Sequence, residues 1–259
     1  MPSDNATPIN TDRKYSFLPG SDIEIINPDA VRGRIRQALF DFDGTVSLVR
    51  EGWQKIMEPL MVEFISQLPH TETDEQLGEL VRDKILETTG KQTIYQMYWL
   101  AEEIERRGGE PLEPIEYKSE YLRRLEKHIK DRVAGLAEGR IEPLDMIVTG
   151  AFDILENFRA RGIRMYCASG TDQPFARREA ELLGATPFFD GGLWGALDDP
   201  SKFSKKMVIE KIIAASNLSG PELVAFGDGF VEIEEAKAIG GLAVGVATNE
   251  AERCGIDPW

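Results

Sequence analysis

The sequence predicts an α/β fold: a Rossmann-like, doubly wound parallel sheet with an inserted all-helical cap domain. Three observations predict it. A short apolar run from Arg36 ends in Asp41-Phe42-Asp43-Gly44, which reads as a buried strand followed by a turn. The block 49–141 then carries long, charged segments of helical period with no convincing strand. After Pro143 short apolar runs alternate with helical patterns, the rhythm of parallel strands joined by crossover helices.

Taken in order, residues 1–20 are rich in Asn, Asp, Ser, Thr and Pro and predict a flexible N-terminal extension. Ile23, Ile25 and Ile26 suggest a short edge strand within Asp22–Asn27. In the helical block, Ile56, Leu60, Phe64 and Leu68 recur at helical spacing, as do Leu77, Leu80, Val81 and Ile85, and then Ile94, Met97, Tyr98 and Ala101. A fourth helix runs from about Glu116 to Val133, and Pro69, Gly90 and Gly108-Gly109-Glu110-Pro111 punctuate the set. Beyond it come a helix over 149–161, a strand over 163–168 leading into Ser169-Gly170-Thr171-Asp172, and a helix over 174–183 closed by Gly184. Phe188 and Phe189 read as a short strand, and Gly191 to Gly195 as a hairpin. A helix over 204–215, a strand over 223–226 ending at Gly227-Asp228-Gly229, a helix over 232–239 and a strand over 242–247 complete the pattern. The expected domains are a catalytic core of 21–48 and 142–259 and a cap of 49–141.

Composition narrows the function. Of 259 residues, 45 are acidic and 30 basic, a net charge of −15, so nucleic acid and anionic membranes are not expected partners. Any anionic substrate needs local positive charge at its site. The two cysteines, Cys167 and Cys254, form neither a disulfide framework nor a metal-ligand spacing, which fits a reducing cytoplasm. Met1 to Thr11 is polar and lacks a secretory apolar segment, and no apolar run approaches the roughly 20 residues that span a bilayer.

Three polar clusters follow three predicted strands: Asp41 to Thr45, Ser169 to Thr171, and Gly227 to Gly229. Each alone is ordinary turn chemistry. A parallel sheet gathers strand C-termini on one edge, where ligands bind. Asp41, Asp43 and Asp228 brought together there require a cation, and oxygen ligands without a His or Cys cluster favour Mg²⁺ over zinc. Three lysines, Lys202, Lys205 and Lys206, could supply positive charge. Lys205 and Lys206 fall in a first helical turn after a Ser204 N-cap, against the helix dipole.

The run Asp41-Phe42-Asp43-Gly44-Thr45, followed by a helical insertion, Ser169, a later lysine and Gly227-Asp228-Gly229, resembles the haloacid dehalogenase superfamily over about residues 36–248, in its phosphatase and phosphomutase branch. The resemblance implies that Asp41 is the nucleophile of a two-step phosphoryl transfer and that Asp43 is the acid and base. It implies Mg²⁺ on Asp41, the Asp43 carbonyl and Asp228, with Thr45, Ser169 and Gly170 cradling the phosphoryl group. It selects Lys205 as the lysine, since Val208, Ile209 and Ile212 follow in the family's spacing. Glu232, where many relatives have Asp, would hold a metal-bound water or orient a ligand. Dehalogenases of this superfamily lack the second aspartate, so Asp43 points to phosphate.

A cap closing over the site would place Arg50, Glu51, Lys91 and Gln92 as candidate substrate contacts, with Trp53 read as core packing. Tyr95, Tyr98 and Trp99 read as cap core, and His70 and His128 receive no catalytic role. The expected function is Mg²⁺-dependent hydrolysis of a small phosphorylated metabolite, such as a sugar phosphate. A sugar phosphomutase of the same fold, or a non-catalytic or regulatory domain of a longer fused enzyme, are the alternatives. The sequence stops at Trp259 soon after its last predicted strand, so it either ends early or is a piece of a longer protein; it assigns no oligomeric state.

Overall fold

The computed structural model describes residues 16–21, 23–197, 199–216 and 219–248. Its centre is a five-stranded sheet of β1 (Gln37–Phe40), β2 (Arg164–Asp172), β3 (Gly192–Ala196), β4 (Leu223–Gly227) and β5 (Leu242–Gly245). The strand order is β3-β2-β1-β4-β5 and every pairing is parallel. Parallel neighbours require crossovers, and α5 (Ala151–Ala160), α6 (Gln173–Leu182), α7 (Lys205–Ser216) and α8 (Phe230–Ala238) flank the sheet.

The strands are apolar on both sides because both faces are covered. Ala38 and Phe40 of β1 point into one core, which also holds Leu155, Phe189 and Phe226. Leu39, between them, points into the other with Val208, Ile209, Ile212 and Ala225. Phe40 stacks on Phe226 across the β1–β4 pairing at 4.7 Å between ring centroids. Among the described residues no helix is long and apolar enough to cross a membrane.

Between β1 and α5 lie α1 (Gln54–Ile65), α2 (Asp74–Thr88), α3 (Thr93–Arg106) and α4 (Pro114–Ala137). A reciprocal Thr73–Gln76 capping box starts α2, and α4 starts with Pro114 in its first turn and Glu116 facing the Glu113 backbone. The two connections to the sheet run side by side: Leu48 N–H donates to Met146 O at 2.8 Å and Val148 N–H to Val46 O at 3.0 Å. Arg132 of α4 braces this junction by donating to the carbonyls of Val49 and Glu51.

Four local expectations are corrected. Phe188 and Phe189 form no strand: Thr186–Phe188 is a 3₁₀ turn, because Pro187 has no N–H for a ladder, and both rings are apolar because they face the core. Gly191–Gly195 is no hairpin but leads into and forms the parallel edge strand β3; its glycines are needed for close approach, since a Cβ on Gly191 would overlap the Tyr166 ring and one on Gly195 would fall 2.6 Å from Gln173 Cα. In α3 the buried stripe is Ile94, Met97, Leu100 and Ile104, which turns Tyr95 and Tyr98 outward, 42% and 41% exposed. The isoleucine-rich stretch near the start makes only an isolated bridge, Phe17 with Glu24, and Asp22 lies outside the described residues, as do the extension over 1–15 and Cys254.

Candidate active site

Three neighbouring strands, β2, β1 and β4, deliver their polar ends to one place. Asp41 directly follows β1, and its N–H donates to Phe226 O at 2.9 Å, which extends the sheet ladder to the residue itself. The residue is 5% exposed, and its Oδ1 lies 3.0 Å from Lys205 Nζ. Lys205 opens α7, where the Ser204 hydroxyl accepts from Met207 N–H as the expected cap. The Glu232 carboxylate pairs with the same ammonium from the first turn of α8. Burial works against the charge on Lys205, but Asp41 and Glu232 outweigh it and hold its pKa above the ordinary value. Glu232 therefore holds the lysine at Asp41. Lys202 and Lys206 are exposed.

Asp43 is held from one side. Its Oδ2 accepts from Ser169 Oγ at 3.1 Å and Thr171 Oγ1 at 2.9 Å, while Oδ1 accepts no hydrogen bond and lies 4.0 Å from Arg50 Nε. Burial raises its pKa to about 6, with the charges of Glu179 and Asp41 adding and Arg50 opposing. A carboxyl so placed can carry a proton near neutrality.

Asp228 follows β4 and packs against the turn of the first motif. Gly44 has φ +75°, and a Cβ on it would overlap Asp228 Oδ2. Gly44→Ala is therefore expected to destabilise the protein by about 2 kcal/mol or more, strain and displacement of Asp228 combined, and to cut activity in step; urea melting and turnover of the same preparation check this. Burial first, then the charges of Asp41 and Glu232, push the Asp228 pKa well up.

Carboxylates outnumber cations here. Asp41, Asp43, Asp228, Glu179 and Glu232 face only Arg50 and Lys205 across these contacts. Among the described residues no three His, Cys, Asp or Glu side chains form a ready cage for a metal. A hard cation fits both facts. Mg²⁺ is ordinarily held by one or two carboxylates plus waters and substrate phosphate oxygens, and Asp41 and Asp228 offer two neighbouring carboxylates, Asp41 with one oxygen beside Lys205, and no His or Cys ligand among them.

The helical insertion forms the roof. The loop joining α2 to α3 comes down on the strand ends: Gly90 (φ +86°) lies against Val231 and Glu232, and a Cβ on Gly170 would fall 2.5 Å from Lys91 O. Buried Gln92 donates its amide to Pro200 O and Phe203 O, at 3.1 and 2.7 Å, and Lys118 of α4 pairs with Asp172 at the end of β2. The pocket left between is lined from below by Asp41, Asp43 and Lys205 and from above by Thr88, Gln96 and Tyr121.

The structure thus gathers Asp41, Asp43, Gly170, Lys205 and Asp228 around one pocket; Ser169 is fully buried behind it and donates to Asp43, and Thr45 is buried with its hydroxyl making no hydrogen bond. Lys91 lines the pocket, its ammonium 5.2 Å from the Phe230 ring centre. Trp53 packs against the core and lines the pocket as well. Two candidate substrate contacts lie elsewhere: Gln92 is spent on tying the roof to the core, and Glu51 is exposed and touches the pocket with no atom. Arg50 reaches the pocket but is bound by Glu179. Sequence reasoning passed over Thr88, Gln96, Tyr121 and Glu179. The first three lie at polar breaks or on half-buried helix faces, where pattern alone gives no direction, and Glu179 is buried through a pairing with Arg50 that is distant in the sequence.

Comparison with known proteins places this geometry. The family model for haloacid dehalogenase-like hydrolases matches residues 35–240. No relative is found among curated proteins. Similar solved structures include a predicted phosphoglycolate phosphatase from Haemophilus somnus 129PT (13% identity, 82% of this chain and 85% of that one, TM-score 0.55). They also include β-phosphoglucomutase from Clostridium difficile (13% identity, 82% and 84%, TM-score 0.55) and a D10N mutant of CbbY from Rhodobacter sphaeroides in complex with xylulose-1,5-bisphosphate (18% identity, 81% and 84%, TM-score 0.52). At these identities the likeness is one of fold.

Proposed function

The chain belongs to the haloacid dehalogenase-like hydrolase family, and from that premise we propose that it hydrolyses the phosphate monoester of a small hydroxylated metabolite through an aspartyl-phosphate on Asp41. The observation that carries this reading is the pairing of two differently treated carboxylates two residues apart. Asp41 is buried beside a lysine ammonium, and Asp43 faces no ammonium but accepts from the Ser169 and Thr171 hydroxyls at the pocket wall.

In the first step an Asp41 oxygen forms a bond to phosphorus as the ester P–O bond breaks, and Asp43 gives its proton to the departing oxygen. In the second, a water oxygen attacks the phosphorus, the bond to Asp41 breaks, and the water's proton goes to Asp43. Lys205, held by Glu232, offsets charge on Asp41 and the phosphoryl oxygens. Thr45, Ser169 and the N–H groups around Gly170 would cradle those oxygens. Mg²⁺, held by Asp41, Asp228 and the Asp43 carbonyl, would supply Lewis-acid stabilisation of the phosphoryl charge. The roof excludes water during the first step. Its hydroxyl and amide groups, on Thr88, Gln96 and Tyr121, suit a sugar or polyol remainder. A buried free thiol at Cys167 suits the reducing cytoplasm.

Phosphate release from a panel of sugar and polyol monophosphates tests the reading. Release in the presence of Mg²⁺ should vanish on chelation and return with excess Mg²⁺. Release indifferent to chelation, or isomerisation without release, would overturn it.

A further inference from the structure

The roof holds two polar side chains that the fold does not use. Gln96 of α3 and Tyr121 of α4 are each 4% exposed, and both line the pocket. Among the described residues nothing hydrogen-bonds the Gln96 amide or the Tyr121 hydroxyl, and neither group is sealed off from the pocket. Each has a like residue one turn earlier that shows the contrast. The Gln92 amide donates to Pro200 O and Phe203 O, and the Tyr117 hydroxyl accepts from Leu112 N–H at 2.9 Å. Thr88, also in the roof, donates its hydroxyl to Lys84 O of its own helix at 2.6 Å. A nearly buried amide and phenol without partners are less stable than apolar side chains of the same size, so the two point to a ligand rather than to the fold.

Charge and hydrogen-bond capacity decide what kind of ligand. The cations of the pocket are committed elsewhere. Lys205 pairs with Asp41 and Glu232, and Arg50 is held on both carboxylate oxygens of Glu179. Lys91 is exposed and stands over the Phe230 ring at the start of α8. The charged groups acting on the Tyr121 hydroxyl are Arg50, already matched by Glu179, and Asp43, which offers no attraction to an anion. A second phosphate or a carboxylate on the substrate would find no unpaired positive charge beside Gln96 and Tyr121. The amide carries a donor and an acceptor, and so does the phenol. A hydroxyl matches both, because it donates and accepts itself. An anionic oxygen only accepts, and would leave the amide oxygen of Gln96 without a proton to bind.

We propose that Gln96 and Tyr121 determine specificity by binding hydroxyls on the part of the ester that leaves, and that this part is an uncharged polyol or sugar. The inference rests on the phosphatase reading and narrows it: monoesters of neutral hydroxylated molecules are turned over, while bisphosphates and phosphorylated acids are rejected.

The experiment measures kcat/KM on matched phosphate esters, those of glycerol, glycerate and propanol and those of glucitol, gluconate and hexanol, with the phosphate at the end far from the carboxylate in the two acids. In at least one set the wild type should prefer the neutral hydroxylated member to both others by about tenfold or more. A preference for the acid or the alkyl member, or no preference in either set, overturns the inference. Gln96→Leu and Tyr121→Phe should each lower the hydroxylated-to-alkyl ratio about tenfold. An equal loss on both esters would mean a structural role and overturns the inference, as does an unmoved ratio in either variant. Both substitutions remove groups that no protein atom binds, so the melting temperature should fall by no more than about 3 °C. A larger fall would assign the side chain to the fold and overturn the inference even where turnover is too weak to measure. Wild-type turnover of p-nitrophenyl phosphate, absent in Asp41→Asn, is the control. Its failure overturns the phosphatase reading and this inference together, whereas turnover of that ester with a flat or reversed preference in the matched sets overturns this inference alone.

Discussion

Asp41→Asn should leave about one ten-thousandth or less of wild-type phosphate release, with the fold intact. An amide oxygen is a poor nucleophile towards phosphorus, and no neighbouring group can replace it: Asp43 has one oxygen bound to Ser169 and Thr171. Asn has nearly the same shape and can still accept from Lys205. It also removes one negative charge from a buried cluster already rich in them. The melting temperature should therefore stay within about 5 °C of wild type. Steady-state phosphate release and a thermal melt on the same sample check both halves. Retained turnover would remove Asp41 from the chemistry.

Lys205→Met should be the most damaging single change to stability at the site, at about 3–5 kcal/mol, because one substitution strips the counter-ion from two buried carboxylates. Activity should fall about 10³-fold as well, since the positive charge facing the transferring phosphoryl group is lost. The double variant Lys205→Met/Glu232→Leu separates the two effects. It replaces most of the buried pair with apolar side chains, so denaturant stability should largely return while activity does not. Recovery of both would mean that the lysine serves only the fold.

Much of this arrangement is legible in the residues. The order of strands and crossover helices follows from the switch between short apolar runs and helical period, and the site follows from polar residues placed after those runs. Lys205 and Lys206 stand out together because lysines in a first helical turn oppose the helix dipole; the family resemblance alone chooses Lys205, whose placement is explained once Glu232 faces it. The failures have physical causes. Phe188 and Phe189 were misread because apolar residues face a core from a 3₁₀ turn as readily as from a strand, and the glycines of 191–195 because glycine serves close packing as well as turns. Gln92 looked like a substrate contact because a polar residue in a loop beside a site has no pattern that distinguishes binding a ligand from tying two parts of the chain together. Glu179 gains meaning only through Arg50, 129 positions away in the chain, and periodicity carries no information about such a pair.

The paired connections at 46–48 and 146–148 have a consequence for how such a molecule can change over generations. The chain leaves the sheet and returns to it at points already joined by hydrogen bonds, so the ends of everything between them are fixed independently of its length. Changes of length within that stretch leave its two ends joined at the sheet, so the strand register that sets Asp41 and Asp228 can persist through them. What covers the pocket can thereby vary along the chain while the strand ends beneath it keep their places.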